Sequence, residues 1–165
     1  MTDISKPNSE STDEPTFPRQ GRLLGVDFGT KRIGLAICDP DQSISTPIDN
    51  YTRRNTDLDG KHFQQTIKDW NAIGVVIGLP VHLSGDESEK SRQTREFGNW
   101  LKQLLQLPVT YWDERFSSQT AEAHLLAANL TKKQRKARLD KLAAQIILQS
   151  FLDTNNRSQT PTQFL

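Results

Sequence analysis

A single cysteine, Cys38, stands in a chain of 165 residues. One thiol can form neither an intrachain disulfide nor a metal-binding cluster, and its isolation points to a reducing, intracellular setting. Hydrophobic residues are scarce as well, at 34%, below the usual share for a globular domain, so part of the length lies outside any core. The first 20 residues contain no apolar run that would serve as a secretory signal, and no later stretch is long enough to span a bilayer. These absences predict a soluble cytoplasmic protein with no membrane partner. Charge of one sign is also missing. Lys+Arg number 21 against 20 Asp+Glu, a formal net charge of +1, which excludes a uniformly basic coat and a long acidic tail. A local basic patch remains compatible with that balance.

What is present divides into three stretches. Residues 1–20 are rich in Ser, Thr, Pro, Asp and Glu, with Phe17 the only aromatic. Such a stretch cannot bury enough apolar area to offset its ordering entropy, and it is expected to be a disordered leader. Residues 154–165 are polar and expected to form a flexible tail. Residues 21–153 are expected to be one domain, long enough for a single core.

Within that domain, Arg22–Phe28 reads as a strand covered on both faces, interrupted only by Asp27. Arg32–Cys38 and Gln42–Ile48 follow after short turns, so these three strands should pair antiparallel. A helix is expected from Asp57 or Asp59 to Asn71, with Phe63, Ile67 and Trp70 inward. Val75–Leu79 reads as a buried strand closed by Pro80. Ser84 and Glu87 form a capping-box pattern for a helix ending near Leu107, with Phe97, Trp100, Leu101, Leu104 and Leu105 inward. Val109–Trp112 is a further strand. Ser117 can cap a helix carrying Ala121, Leu125 and Leu126, and Thr131 with Gln134 opens a last helix through Leu152. The order βββαβαβα(α) predicts an α/β fold: a five-stranded mixed sheet, three antiparallel strands then parallel βαβ units, flanked by helices.

Acids break the apolar pattern in three places. Asp27 interrupts its strand just before the end, where a lone carboxylate is costly unless paired or metal-bound; a turn-initiating Asp before Gly is the plainer alternative. Asp140 precedes Ala143, Ala144, Ile147, Leu148 and Phe151 at offsets that mark one helical face. It therefore stands at the N-terminal end of the apolar stripe, although an early-turn acid also suits the helix dipole. Asp113-Glu114-Arg115 ends a strand, where open α/β sheets place their sites. Alternation sends Asp113 and Glu114 to opposite faces, and either could point to a site while the other pairs with Arg115. Acids converging from strand, strand end and helix would form an oxygen-rich cage suited to Mg2+ or Mn2+. Two such ions can activate a water and stabilise the leaving oxygen of a phosphodiester.

Basic residues stand beside each acid. Lys31 and Arg32 follow Asp27, Arg115 follows Glu114, and Lys132, Lys133, Arg135, Lys136, Arg138 and Lys141 surround Asp140. That arrangement suits a phosphate backbone, against the plainer reading of a solvated helix face. His62, His82 and His124 lack metal-ligand spacing. Cys38 reads as packing, and Ser84 and Ser117 lack partners for a hydrolase triad. Neither a dinucleotide fingerprint nor a P-loop is present. Trp70, Trp100 and Trp112 fit core positions.

The stretches GVDFGTKRIGLAICD (Gly25–Asp39), VVIGLP (Val75–Pro80), DERFSS (Asp113–Ser118) and RLDKLAAQIILQSFL (Arg138–Leu152) together resemble the YqgF family, also called RuvX. Its members are Holliday-junction-resolvase-like proteins generally regarded as pre-16S rRNA nucleases. Four motifs in register cover nearly the whole core. The resemblance implies an RNase H-like fold and a metal-dependent nuclease, with Asp27, Glu114 and Asp140 as catalytic and metal-holding acids. It implies Lys31, Arg32, Arg115 and Lys136 near substrate phosphates, with Asp113 as a possible further site residue. The implied substrate is pre-16S rRNA at its 5′ end, in a small-subunit precursor, with branched DNA as the alternative. A monomer or weak homodimer is expected. The wider RNase H-like pattern places an acid at the end of the central strand, where this chain has Gly78-Leu79-Pro80, so Glu114 must reach in from the neighbouring strand. A noncatalytic RNA-binding assembly factor and, from Asp27-Phe28-Gly29-Thr30, an ATPase-like phosphate loop are the competing classes.

Overall fold

The computed structural model describes residues 17–81, 88–117, 131–155 and 157, excluding the side chains of residues 136–141. Its elements run β1 (Leu23–Asp27), β2 (Arg32–Cys38), β3 (Ser45–Thr52), α1 (Thr56–Trp70), β4 (Gly74–Leu79), α2 (Glu89–Leu105) and β5 (Val109–Asp113). A single 3-10 turn (Glu114–Ser117) follows, and then α3 (Lys132–Asp153). The strands join in the order β3-β2-β1-β4-β5. β2 pairs antiparallel with both β1 and β3, whereas β4 pairs parallel with both β1 and β5. This is the expected mixed sheet. Short turns permit only antiparallel neighbours, and helical crossovers return the chain in parallel.

The third strand is displaced from the expected 42–48. Gln42 takes a left-handed backbone, φ 55°, in a turn whose amides at Ser43 and Ile44 donate to the Asp39 carboxylate. Pairing starts at Ser45 and runs to Thr52, with a register shift between Leu35 and Ala36 beside Pro47, which an edge strand tolerates.

Helix α1 is rotated relative to expectation. The Asp59 carboxylate accepts hydrogen bonds from Tyr51 Oη, Arg53 Nε and the Arg54 amide, and these draw it inward. The buried stripe therefore runs Asp59, Gly60, Phe63, Thr66, and Trp70 is left 40% exposed rather than in the core. Asn55 caps the helix by accepting from the Leu58 amide. Helix α2 starts at Glu89, with Ser88 as its cap, four residues after the expected Ser84. Ser84–Glu87 themselves lie outside the described residues, as does the helix expected around Ala121, Leu125 and Leu126. The Thr131–Gln134 capping box opens α3 as expected.

Two cores lie on opposite faces of the sheet. One packs Leu24, Val26, Ile33, Leu35, Val75 and Ile77 against Phe63 of α1 and Phe97 and Leu101 of α2. The other packs Leu23, Ala36, Val76 and Trp112 against Ala144, Ile147, Leu148 and Phe151 of α3. The packed chain reaches past both expected boundaries. Phe17, assigned to the leader, meets Phe151 edge-to-face at 5.7 Å. Arg157, assigned to the tail, stacks on Phe151 and donates to Gln42 Oε1 at 2.7 Å.

Candidate active site

Side-chain alternation along β1 sends Leu23, Gly25 and Asp27 to the α3 face. The first two positions are closely overlaid. A β-carbon at Gly25 would stand 2.8 Å from Leu148 Cβ and 3.1 Å from the Ala144 carbonyl oxygen, so only glycine admits the helix. Asp27, half-buried, lies opposite Gly34 of β2 in register. A β-carbon at Gly34 would sit 3.6 Å from Asp27 Cβ and 3.5 Å from Ala144 Cβ. Asp27 thus occupies the seam between the sheet and α3, at the C-terminal end of β1.

Glu114 arrives at the same seam from the far side. In β5, Trp112 faces α3, so Asp113 faces the other way, where it is fully buried. Its carboxylate accepts from the Arg115 amide at 2.9 Å and from Arg115 Nε at 3.0 and 2.9 Å, with a further bond from Nη2. This clamp spans Glu114 and turns it back toward α3. The alternative left open by the sequence is resolved: Asp113 pairs with Arg115, and Glu114 points to the seam. Its carboxylate reaches over β4, since a β-carbon at Gly78 would stand 3.1 Å from Glu114 Oε1. Missing side-chain volume at Gly78 is what lets an acid from the neighbouring strand occupy the place above β4.

Ser150 of α3 fixes the turn in place. Its Oγ accepts from Trp112 Nε1 at 3.0 Å and donates to the Phe116 carbonyl at 3.1 Å. Burial, with the Asp27 carboxylate adding to it, pushes Glu114 up to about 7; Lys90 of α2 acts in the opposite direction. A buried carboxyl beside a second carboxylate offers oxygen donors to a site where negative charge is costly. They fit a hard divalent cation, which takes oxygen ligands. Among the described residues no group of three His, Cys, Asp or Glu side chains could hold a metal. Asp140 belongs to α3, four residues before Ala144, and its side chain is outside the described set, as are those of Lys136 and the other basic residues of 136–141.

Lys31 and Arg32 are exposed on the turn that follows Asp27. Sequence reasoning missed Lys90, Ser150 and the role of Gly78. The Gly78 gap was visible as the absent central-strand acid, whereas Lys90 and Ser150 had no motif to mark them. Cys38 is buried, with its sulfur accepting from the Leu23 amide, as expected of a packing residue. His62 bonds Asp49 and stacks on Tyr51; His82 and His124 fall outside the described residues.

Residues 21–154 match the family described as "RuvX: Holliday junction resolvase". Curated relatives include a Rhodopirellula baltica protein, 41% identical over 89% of this chain and 85% of its own length. A Rhodobacter capsulatus protein is 41% identical over 83% of this chain and 86% of its own. Both are named "Putative pre-16S rRNA nuclease". Among solved structures, Thermus thermophilus RuvC in complex with a Holliday junction substrate superposes with a TM-score of 0.56 at 11% identity, covering 84% of this chain and 97% of RuvC. That likeness establishes an RNase H-like sheet order. With the family match spanning the whole sheet and α3, the chain belongs to the RuvX family.

Proposed function

We propose that the protein is a metal-dependent nuclease that hydrolyses phosphodiester bonds in the 5′-end maturation of pre-16S rRNA. The observation that carries this reading is the Glu114 carboxylate lying over Gly78, where the nearby Asp27 carboxylate raises its pKa. Relatives bearing the rRNA nuclease name at 41% identity support the substrate. Asp27, Glu114 and Asp140, one turn before Ala144, are the acids we assign to Mg2+ or Mn2+. Such a cation supplies Lewis acidity toward water and phosphate oxygens.

The chain's own groups do the positioning. Asp27 pairs with Gly34 of β2, and its neighbour Val26 pairs with Ile77 of β4, which fixes the end of β1. Glu114, whose carboxyl burial and Asp27 push up to about 7, would hold a cation in competition with a proton, which would couple metal binding to pH. Lys31 and Arg32 meet the substrate phosphates, with Lys136 on the α3 side. Arg115, clamped on Asp113 through Nε and Nη2, holds the turn that carries Glu114. Action in the cytoplasm on a small-subunit precursor, by a monomer or weak dimer, completes the proposal.

The test is Mg2+- or Mn2+-dependent cleavage of a 16S precursor with its 5′ extension, beside a four-way DNA junction. Asp27→Asn should cut the rate by at least about a hundredfold, more than loss of an outer-sphere partner does, while its thermal melt is retained. Cleavage of the junction alone would turn the reading to a resolvase, the activity in the family's description. Wild-type protein that cuts neither would overturn it in favour of an assembly factor.

A further inference from the structure

A cavity of about 350 Å3 opens on the face of the sheet away from α3. Phe28, Arg53, Gln93, Glu96, Phe97 and Trp100 line it, with Thr30 and Thr56 at its edge. Phe28 directly follows Asp27 in the chain, so cavity and acid seam meet across the same C-terminal end of β1. The size suits a small planar ligand. Its walls combine aromatic rings with hydrogen-bonding groups of both polarities. Phe97 packs 4.7 Å from Phe28 and 5.6 Å from Trp100 between ring centroids. Arg53 lies 5.4 Å over Phe28 and 5.9 Å over Phe97, with its Nε held by Asp59. A guanidinium, a carboxylate and an amide can together pair the donor and acceptor edge of a nucleobase, and guanidinium and indole planes both stack on one.

The rim supplies the matching charge. β2–β3 pairing sets Arg32 opposite Thr52, and the Arg53 amide donates to the Lys31 carbonyl at 2.9 Å. Two basic pairs distant in sequence, Lys31-Arg32 and Arg53-Arg54, therefore converge at one corner of the sheet. Arg54 and both residues of the first pair are exposed.

We propose that this cavity binds one unstacked nucleobase of a single-stranded stretch of the RNA substrate, while Lys31, Arg32 and Arg54 hold the flanking phosphates. The strand would cross the end of β1, with a phosphodiester at the acid seam and a nearby base inserted on the opposite face. This deepens the nuclease reading and rests on it for the identity of the strand.

The experiment uses the full chain carrying Asp27→Asn, without metal, and a fluorescent single-stranded oligoribonucleotide of about ten nucleotides. Gln93→Trp fills the cavity from a helix surface, and Trp100→Leu removes a stacking wall. Each should weaken the strand by about tenfold, and neither should change the affinity of the strand abasic at the inserted position. A loss equal for intact and abasic strands would overturn the proposal in favour of phosphate contacts alone. Unchanged affinity in Gln93→Trp would overturn it outright, as would AMP or ATP binding in the cavity when the strand does not. Wild-type cleavage of the 16S precursor, run in parallel, separates the two readings. Cleavage without a Gln93→Trp effect on strand binding defeats the cavity alone. Strand binding that responds to Gln93→Trp without any cleavage supports the cavity and defeats the nuclease.

Discussion

The two faces of the sheet are built from the same strands and solve different problems. Toward α1 and α2, large side chains interlock: Leu24, Val26, Ile33, Leu35 and Ile77 with Phe63, Phe97 and Leu101. Toward α3, the inward positions of β1, β2 and β4 include Gly25, Gly34 and Gly78, and the helix descends until its backbone nearly touches the sheet. The first face derives stability from buried apolar area. The second gives up some of that area so that Asp27 and Glu114 share a narrow seam. Stability and chemistry are thereby separated by the thickness of one sheet, and substitutions on the two faces should fail differently.

Gly25→Ala should have the largest effect on the folded state. The new β-carbon meets Leu148 Cβ and the Ala144 carbonyl, neither of which can swing aside, so α3 must shift. A loss of about 1–3 kcal/mol in urea denaturation is expected, together with loss of cleavage, because α3 carries Asp140 of the proposed site.

Glu114→Gln should show the opposite sign in stability. A carboxyl whose folded pKa is raised from 4.5 to about 7 favours folding below the unfolded value and loses that contribution as pH rises through about 7. In EDTA at pH 8 the variant should be more stable than wild type by about 1–3 kcal/mol. The gap should close below pH 4.5. Mg2+ or Mn2+ should raise the wild-type Tm at pH 8 and leave the variant nearly unmoved. Thermal melts at both pH values check all three statements.

Ile77→Val, on the other face of the same β4 strand, sharpens the contrast. It should cost about 0.5–1.5 kcal/mol and leave the cleavage rate per folded molecule unchanged. The smallest effect belongs to Asp39, in the turn that follows β2. Hydrogen bonds from the Ile44 amide and from Ser43 hold its carboxyl down to about 2. Its contribution is present above the usual carboxylate range and lost as pH falls toward 2. Asp39→Asn should flatten the decline of the urea midpoint between about pH 4 and pH 2.

Much of this was legible in the residues. The mixed five-stranded sheet followed from turn lengths and helix spacing. Asp27, Asp140 and the Asp113-Glu114 pair stood out as acids breaking an apolar pattern, and Glu114 was singled out by the family resemblance. The parts that were not legible share a cause. The inward turn of Asp59 depends on Tyr51, Arg53 and Arg54 arriving from the preceding strand and loop, so helical periodicity alone pointed to Trp70. Asp113 and Glu114 were indistinguishable by alternation until the Arg115 clamp assigned the first to the buried side. Lys90 and Ser150 carry no pattern of their own and matter only for what they lie beside.

The sequence by itself determined the sheet, the family and which residue types could hold a cation, because periodicity, turn chemistry and misplaced charge are local properties of the chain. Tertiary structure alone decided that Glu114 lies over Gly78, that Asp113 serves Arg115, and that two basic pairs meet beside an aromatic cavity. Those outcomes depend on distances between segments far apart in the chain, set by strand register and by how closely α3 can approach the sheet.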